Sequence, residues 1–155
     1  MKIFSDDILP NMKINDKFIA SKDFGFGCAG RNITPSFSLS DVPKEASELA
    51  FTVFDPDAPT GCGFWHWILV NIDKNISEIN ESVVRGSLQI RNDFGVYNYG
   101  GPCPPEGDKA HNYHFCLYAL HTPIEASPNT PAAQIGFQLN FKTQAKASII
   151  ALYGR

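Results

Sequence analysis

Residues 65–71 have the sequence WHWILVN, a nearly continuous apolar run of strand length. A strand with one wet face alternates apolar and polar residues, whereas an uninterrupted apolar run suits a strand that is covered on both faces. Similar β-branched and aromatic runs occur at residues 50–54 (AFTVF), 113–120 (YHFCLYAL) and 148–153 (SIIALY). The sequence therefore predicts a mainly β fold that contains these four strands.

One helix is predicted near the end of the chain, over residues 131–144. Pro131 suits the first helical position, and Ile135 and Leu139 lie on one face at helical spacing. A strand remains an alternative there, because residues 137–141 (FQLNF) also alternate. Pro-rich loops are predicted at residues 55–63, 100–109 and 122–131.

Length and charge exclude several classes of protein. The 155 residues are enough for a single domain, residues 1–155, and short for two. Lys and Arg number 13 against 16 Asp and Glu, so the net charge of −3 leaves no basic face for nucleic acid. No stretch approaches the roughly 20 apolar residues of a membrane-spanning helix. We therefore expect neither nucleic acid as a partner nor integral association with a membrane.

The cysteines and the first residues bear on the compartment. Cys28, Cys62, Cys103 and Cys116 are far apart and form no CxxC pair, which argues against a zinc ribbon or a thioredoxin motif. Residues 1–7 contain two aspartates and lack the apolar core of a signal peptide. A cytoplasmic location with reduced thiols is therefore the expectation.

The first motif with chemical potential is DPDAP at residues 55–59, directly after a predicted strand. Its two prolines fix the backbone, so the loop can hold Asp55 at the rim of a sheet, where ligands often bind. An Asx-type turn, in which the carboxylates cap their own backbone, is the structural alternative.

The second motif places a histidine between two tryptophans. The two-residue period of a strand predicts Phe64 and His66 on one face, with Trp65 and Trp67 on the other. His66 then either lines a pocket with an aromatic wall or is a core histidine bonded to a backbone carbonyl, and the sequence leaves both open.

The third motif combines a loop of small, rigid residues, GGPCPP at 100–105, with HNYH at 111–114. A ligand can approach the backbone of such a loop closely. His111 and Tyr113 share a face of the following strand, while His114 points away.

A metal site and a covalent enzyme are the chemical alternatives. His111 and His114 are predicted on opposite faces of the strand, which argues against an HxxH metal site. Asp55, His66 and His111 remain an acceptable ligand set for a metal. No nucleophile motif appears, since the chain contains neither a GxSxG elbow nor a P-loop. We expect no metal and no cofactor.

In this order the segments resemble the phosphatidylethanolamine-binding protein (PEBP) family, and most of all its short bacterial, Raf-kinase-inhibitor-like branch. The resemblance covers residues 32–155, and DPDAP followed by PP and HxY at these separations is specific. The matching segments are NITP at 32–35, DPDAP at 55–59, WHW at 65–67, NDFG at 92–95, GGPCPP at 100–105, HNY at 111–113 and LYGR at 152–155.

The resemblance implies a large central antiparallel β-sheet, a smaller packed sheet and a C-terminal helical element. It also implies a small anion pocket at one end of the sheet, for phosphate, acetate or a phospholipid headgroup, and a cis peptide bond between Ala58 and Pro59. The ligand-binding positions that it implies are Asp55, Pro59, Phe64, His66, Cys103, Pro104, His111 and Tyr113.

Two positions depart from the family pattern, and two cysteines leave a question open. Asn112 stands where the family often has arginine, and Leu39 stands where a tryptophan is usual. Cys28 and Cys103 fall where bacterial relatives often carry cysteines, and whether they form a disulfide is left open.

The functional expectation is a binding protein without enzymatic activity. The histidines and Tyr113 would donate hydrogen bonds to a small anionic ligand or phosphorylated group. A neighbouring carboxylate favours the imidazolium form, so sulfate is expected to bind more tightly at pH 5.5 than at pH 8.5. The resemblance also suggests a role as a kinase inhibitor or signalling modulator, and leaves room for a protein partner and a homodimer.

A hydrolase is the alternative function. In it, Asp55, His66, His111 and Tyr113 would form a general acid–base set. Cys103 is a candidate nucleophile, but the prolines on either side of it favour a role in the loop wall.

Overall fold

Five antiparallel strands form the central sheet of this computed structural model, which describes residues 1–80 and 82–155. Their spatial order is β6-β4-β3-β7-β8, with bounds β3 (Glu48–Asp55), β4 (Phe64–Ile72), β6 (Leu88–Gln89), β7 (His111–Leu120) and β8 (Thr143–Tyr153). The smaller antiparallel sheet has the order β1-β2-β5, with bounds β1 (Lys2–Phe4), β2 (Phe37–Ser40) and β5 (Glu78–Ile79). The predicted pairing of a large and a smaller antiparallel sheet is confirmed.

Two α-helices and two single-turn helices complete the described fold. They are α1 (Glu81–Gly86), α2 (Ala132–Lys142) and the 3₁₀ turns Asp16–Phe18 and Lys22–Phe24. No helix within residues 1–80 and 82–155 is long and apolar enough to cross a membrane.

The four predicted strands are all present, and each extends beyond its predicted limits. The helix interpretation of residues 131–144 is also correct, but the boundaries differ. Pro131 lies just before α2 rather than at its first position, and α2 ends at Lys142 because β8 begins at the next residue. The short strands β1, β2, β5 and β6 were not predicted, since two to four residues are too few to show a period.

The central sheet is covered on both faces, as the apolar runs predicted. One face packs against the smaller sheet in a core that includes Phe37, Phe51 and Phe115. On the other face, called here the outer face, Ile135 and Leu139 of α2 pack over the strands. Burying a side chain of this size stabilises the fold by roughly 1.5–3 kcal/mol.

A β-bulge overturns the prediction that Trp65 and Trp67 lie on the same face of β4. Val53 lies opposite Trp67, but the next residue of β3, Phe54, lies opposite Trp65, so His66 is an extra residue in β4. Such a bulge shifts the alternation of side chains by one position. Trp67 consequently lies in the core between the sheets and Trp65 on the outer face, whereas the sequence predicted both on one face.

The loop after β3 corrects a second prediction. The Ala58–Pro59 peptide bond is trans, so the expected cis bond is wrong. The chain turns by other means: the Asp57 N–H donates to Oδ1 of Asp55 at 2.9 Å, and Gly61 and Gly63 have φ angles of 79° and 73°. Glycine enters this left-handed region without a steric penalty, so the turn requires no cis bond.

Candidate functional site

A small pocket opens at one end of the central sheet, where β3 ends and where β4 and β7 begin. Its volume is about 180 Å³. All eight sequence-predicted positions line it, and they are Asp55, Pro59, Phe64, His66, Cys103, Pro104, His111 and Tyr113. Antiparallel neighbours bring these strand ends to one edge, which is why three separate motifs meet there.

Asp55 and His111 form a buried pair at the base of the pocket. The Nδ1–H of His111 donates to Oδ2 of Asp55 at 2.7 Å, and each residue is only 2% exposed. The other oxygen of Asp55 accepts the Asp57 N–H, so this carboxylate closes the Asx-type turn and also lines the pocket. Asp55 therefore fixes the orientation of the His111 ring.

His66 is held by a backbone carbonyl while its ring lines the pocket, so both sequence interpretations apply. Its Nδ1 lies 2.8 Å from the oxygen of Gly100, and the residue is 3% exposed. Because a carbonyl only accepts hydrogen bonds, Nδ1 carries the proton. Burial lowers the pKa of His66 to about 4 and outweighs the opposing effects of the Gly100 carbonyl and Asp55. The expected imidazolium form is therefore wrong for His66, which is neutral at pH 7.

Tyr113 contributes a hydroxyl group without a partner. The residue is fully buried, and its oxygen makes no hydrogen bond within the described part of the chain. Burial raises the pKa of Tyr113, and Asp55 raises it further, both through its negative charge and as a nearby acceptor that does not reach full hydrogen-bond geometry with the hydroxyl. The phenol therefore keeps its proton and remains a hydrogen-bond donor.

Aromatic rings form one wall of the pocket. Phe94 lies 4.7 Å from Phe64 and 5.2 Å from His66, measured between ring centroids, and Phe26 lies 5.5 Å from Phe94. Five further lining residues were not predicted from the sequence: Phe94, Phe26, Ala58, Thr60 and Pro105. The NDFG segment around Phe94 was the available signal.

Asn92 explains how the NDFG segment reaches the pocket. Its Nδ2 donates to the carbonyl oxygen of His66 at 2.9 Å, and its Oδ1 accepts the N–H groups of Phe94 and Val96. This buried side chain therefore ties the loop that carries Phe94 to β4.

Asn112 has a corresponding role on β7. Its backbone N–H and its Nδ2 both lie 2.8 Å from Oδ2 of Asp57. These hydrogen bonds lower the pKa of Asp57. The amide that stands in place of the usual arginine thus anchors the DPDAP loop to β7.

A disulfide and an arginine hold together the loops at the mouth of the pocket. Cys28 and Cys103 are joined, so the expectation of reduced thiols is wrong for this pair, whereas Cys62 and Cys116 are free. Nε of Arg155 donates to the Pro104 oxygen at 2.7 Å, and Nη2 donates to the Phe26 oxygen at 2.9 Å. Two loops far apart in the sequence are therefore clamped side by side at the mouth of the pocket.

The proposed metal ligands are not arranged as a metal site. Across residues 1–80 and 82–155, no three His, Cys, Asp or Glu side chains are grouped closely enough to hold a metal ion. The His₂–carboxylate alternative therefore has no geometric support.

A second and larger cavity, the outer groove, lies between α2 and the outer face of the sheet. Its volume is about 400 Å³, and it is lined by Trp65, Tyr118, Gly136, Leu139, Asn140, Thr143 and Lys146. The Tyr118 hydroxyl is 3.5 Å from Oγ1 of Thr52, and Nζ of Lys146 lies 5.1 Å from the Tyr118 ring centroid. No motif in the sequence predicted a function for this groove.

Comparisons with known proteins agree with the fold and with the motif order. Residues 6–154 match the family profile described as phosphatidylethanolamine-binding protein. The UPF0098 protein YbcL of Escherichia coli is 41% identical over 152 residues, covering 92% of this chain and 83% of YbcL. YbhB of the same organism is 34% identical, covering 99% of each chain.

Solved structures show the same architecture. The crystal structure of E. coli YbcL, described as a new member of the mammalian PEBP family, matches with a TM-score of 0.91 and 38% identity, covering 99% of this chain and 98% of that one. A PEBP homolog from Chlamydia trachomatis matches with a TM-score of 0.82 and 28% identity, covering 99% and 97% of the two chains.

Proposed function

Because the chain belongs to the phosphatidylethanolamine-binding protein family, we propose that it is a binding protein whose pocket takes a small phosphoryl group. The family supports the binding role, and the pocket chemistry supports the choice of ligand. The pocket residues are Asp55, His66, His111 and Tyr113, with Pro59, Phe64, Cys103 and Pro104 as walls.

The unpartnered hydroxyl of Tyr113 is the observation that carries this proposal. A buried polar group without a partner costs about 1–3 kcal/mol, and native folds keep few such groups. A ligand oxygen that accepts from Tyr113 would remove this cost. The anion oxygen that accepts from Tyr113 is thus expected beside the aromatic wall, where water is scarce and a hydrogen bond is stronger.

The size and polarity of the cavity limit the size of the ligand and the expected affinity. A volume of about 180 Å³ suits a group of a few heavy atoms rather than a whole lipid. No lysine or arginine side chain is among the lining residues, so the binding is expected to be weak. Dissociation constants in the micromolar to millimolar range correspond to about −8 to −4 kcal/mol.

The hydrolase alternative is favoured by one contact, the 2.7 Å hydrogen bond between Asp55 and His111. A carboxylate that orients a histidine is a common feature of general-base catalysis. The candidate nucleophile in this pocket, Cys103, is held in the disulfide and has no free thiol. Binding without turnover is therefore the better-supported function.

The other expectations from the resemblance stay predictions. These are the kinase-inhibitor or signalling role, the protein partner and the homodimer. The cytoplasmic location is also a prediction, and the Cys28–Cys103 disulfide weighs against it, because disulfides persist mainly in oxidising compartments.

A chemical-shift titration with inorganic phosphate tests the binding proposal. We expect saturable shifts at Asp55, His66 and Tyr113, with Tyr118 in the outer groove unchanged as the internal control. Shifts confined to surface lysines, or strongest at the outer groove, would contradict the proposal.

Turnover tests the alternative. We expect no release of phosphate from an aryl phosphate above the rate of the His111→Ala variant. Release that saturates with substrate and is lost in that variant would favour the hydrolase.

A further inference from the structure

The two pocket histidines share an arrangement that limits which ligands fit. In each ring Nδ1 already makes a hydrogen bond to an oxygen. The acceptor is the Gly100 carbonyl for His66 and the Asp55 carboxylate for His111. Neither oxygen can donate, so each Nδ1 supplies the proton of its bond. A neutral histidine has only one N–H, and its Nε2 then carries a lone pair that accepts a hydrogen bond.

The free acceptor nitrogen belongs to His66. Among the described residues its ring hydrogen bond is the one from Nδ1 to the Gly100 carbonyl, which leaves Nε2 with its lone pair. Burial keeps the ring neutral at physiological pH, against the opposing effects of the Gly100 and Gly101 backbone and of Asp55. The titratable groups that face it are Asp55 on β3, and His111 and Tyr113 on β7. His111 differs, because its Nε2 lies 3.6 Å from the carboxylate of Asp108 in the loop before β7.

Around His66 the side chains therefore present more acceptors than donors. Tyr113 is a donor, whereas the free nitrogen of His66 is an acceptor and Asp55 brings a buried negative charge. A fully ionised anion would find one matching group and two opposing ones. Like charges at short range disfavour each other, and an acceptor facing an acceptor leaves both unsatisfied.

We propose, building on the proposed function, that the pocket recognises a phosphoryl group that still carries a proton. The P–OH donates to Nε2 of His66, and an unprotonated phosphoryl oxygen accepts from the Tyr113 hydroxyl. Inorganic hydrogen phosphate and singly ionised phosphomonoesters meet this requirement. Sulfate has the same tetrahedral shape, but it does not meet the requirement because it carries no proton at neutral pH.

Calorimetry with phosphate and sulfate at pH 7 and equal ionic strength is the first test. We expect phosphate to bind at least about tenfold more tightly than sulfate, since one well-placed hydrogen bond accounts for a difference of this order. Equal affinities, or tighter binding of sulfate, would overturn the protonated-ligand proposal and leave the phosphoryl-binding function standing. If neither ion binds, the proposed function itself is wrong, and this proposal falls with it.

Phosphate esters test whether the bound phosphoryl group must carry a proton. The second ionisation of a phosphomonoester lies near pH 6. Methyl phosphate should therefore bind more tightly at pH 5 than at pH 8, and dimethyl phosphate, which has no P–OH, should bind weakly at both values. Tight binding of the diester, or methyl phosphate binding that strengthens with pH, would overturn the proposal.

A variant pair isolates the contribution of His66. His66→Gln places an amide in the pocket that can donate as well as accept, so the preference for phosphate over sulfate should fall towards unity. His114→Gln is the matched control, because His114 lies on the opposite face of β7 and should leave the preference unchanged. An unchanged preference in folded His66→Gln would contradict the proposal.

A spectroscopic measurement covers the case in which His66→Gln does not fold. Nitrogen-15 spectra of the unmodified protein at pH 7 should show His66 with a protonated Nδ1 and a bare Nε2. A protonated Nε2 in the free protein would overturn the proposed acceptor.

Discussion

The pocket and the outer groove differ in whether their polar side chains have hydrogen-bond partners. The outer groove is the larger cavity, but its polar side chains have partners or reach solvent: Thr143 bonds to the Leu139 carbonyl, and Tyr118 lies within reach of Thr52. The pocket is smaller, and the Tyr113 hydroxyl that lines it is buried without a partner. Of these two cavities the groove is favoured by size, whereas the pocket is favoured by its buried hydroxyl without a partner.

The largest expected difference between the two cavities concerns their charges. Asp55→Ala leaves the His111 ring and the Asp57 N–H without their acceptor in a buried setting, so the free energy of unfolding should fall by about 3–5 kcal/mol. Lys146→Ala in the groove removes an exposed charge over a ring, worth about 0.5–1 kcal/mol. Urea denaturation measures both values. Similar small losses would show that the Asp55–His111 pair is not a structural anchor.

The disulfide beside the pocket is the next expected contribution. It closes a loop with a sequence separation of 75, and Cys28→Ser with Cys103→Ser should lower the unfolding free energy by about 2–4 kcal/mol. Phosphate affinity should fall as well, because Cys103 lies in the pocket wall. Cys62→Ser, at an exposed free cysteine in the neighbouring loop, is the control and should change neither value. A double variant with wild-type stability and affinity would contradict the clamping role.

His66 predicts a pH dependence of stability whose sign follows from its lowered pKa. Its pKa is about 4 in the folded chain and near 6.5 when unfolded, so the unfolded state binds more protons between these values. Stability contributed by neutral His66 is therefore complete above pH 6.5 and is lost as the pH falls towards 4, by on the order of 3 kcal/mol.

The matching histidine on the outer face provides the control for that pH dependence. Unfolding curves from pH 7 to pH 4 should show the loss in the wild type and a smaller loss in His66→Gln. Burial also lowers the pKa of His114, but this residue is only half-buried, so His114→Gln should change the profile less. Identical pH profiles for the wild type and His66→Gln would mean that His66 is not buried in its neutral form.

The smallest expected effect compares the two tyrosines. Tyr113→Phe removes the unpartnered donor, so phosphate affinity should fall about tenfold while stability stays constant or rises by up to about 1 kcal/mol. Tyr118→Phe should leave phosphate affinity unchanged, since its hydroxyl lies in the groove near Thr52. Calorimetric titration with phosphate checks both variants. Loss of stability in Tyr113→Phe would indicate that its hydroxyl has a partner in the free protein.

Much of the fold was predictable because its signals are local. The runs that became β3, β4, β7 and β8 are long enough to show their burial directly in the sequence. The two-residue period also placed His111 and Tyr113 together, since β7 is regular there and both side chains line the pocket. The same reasoning failed at Trp65 and Trp67, because the bulge at His66 depends on the partner strand.

The sequence was sufficient to identify which residue types meet at the pocket, because motif order and spacing are properties of the chain. Only the tertiary structure decided which atoms there are free to act. The proton on His66 is placed by a carbonyl 34 positions away, and the pocket wall by a disulfide between residues 75 positions apart. Burial then sets the charge of His66 and leaves Tyr113 unpaired. Such contacts join distant segments, and no local pattern records them.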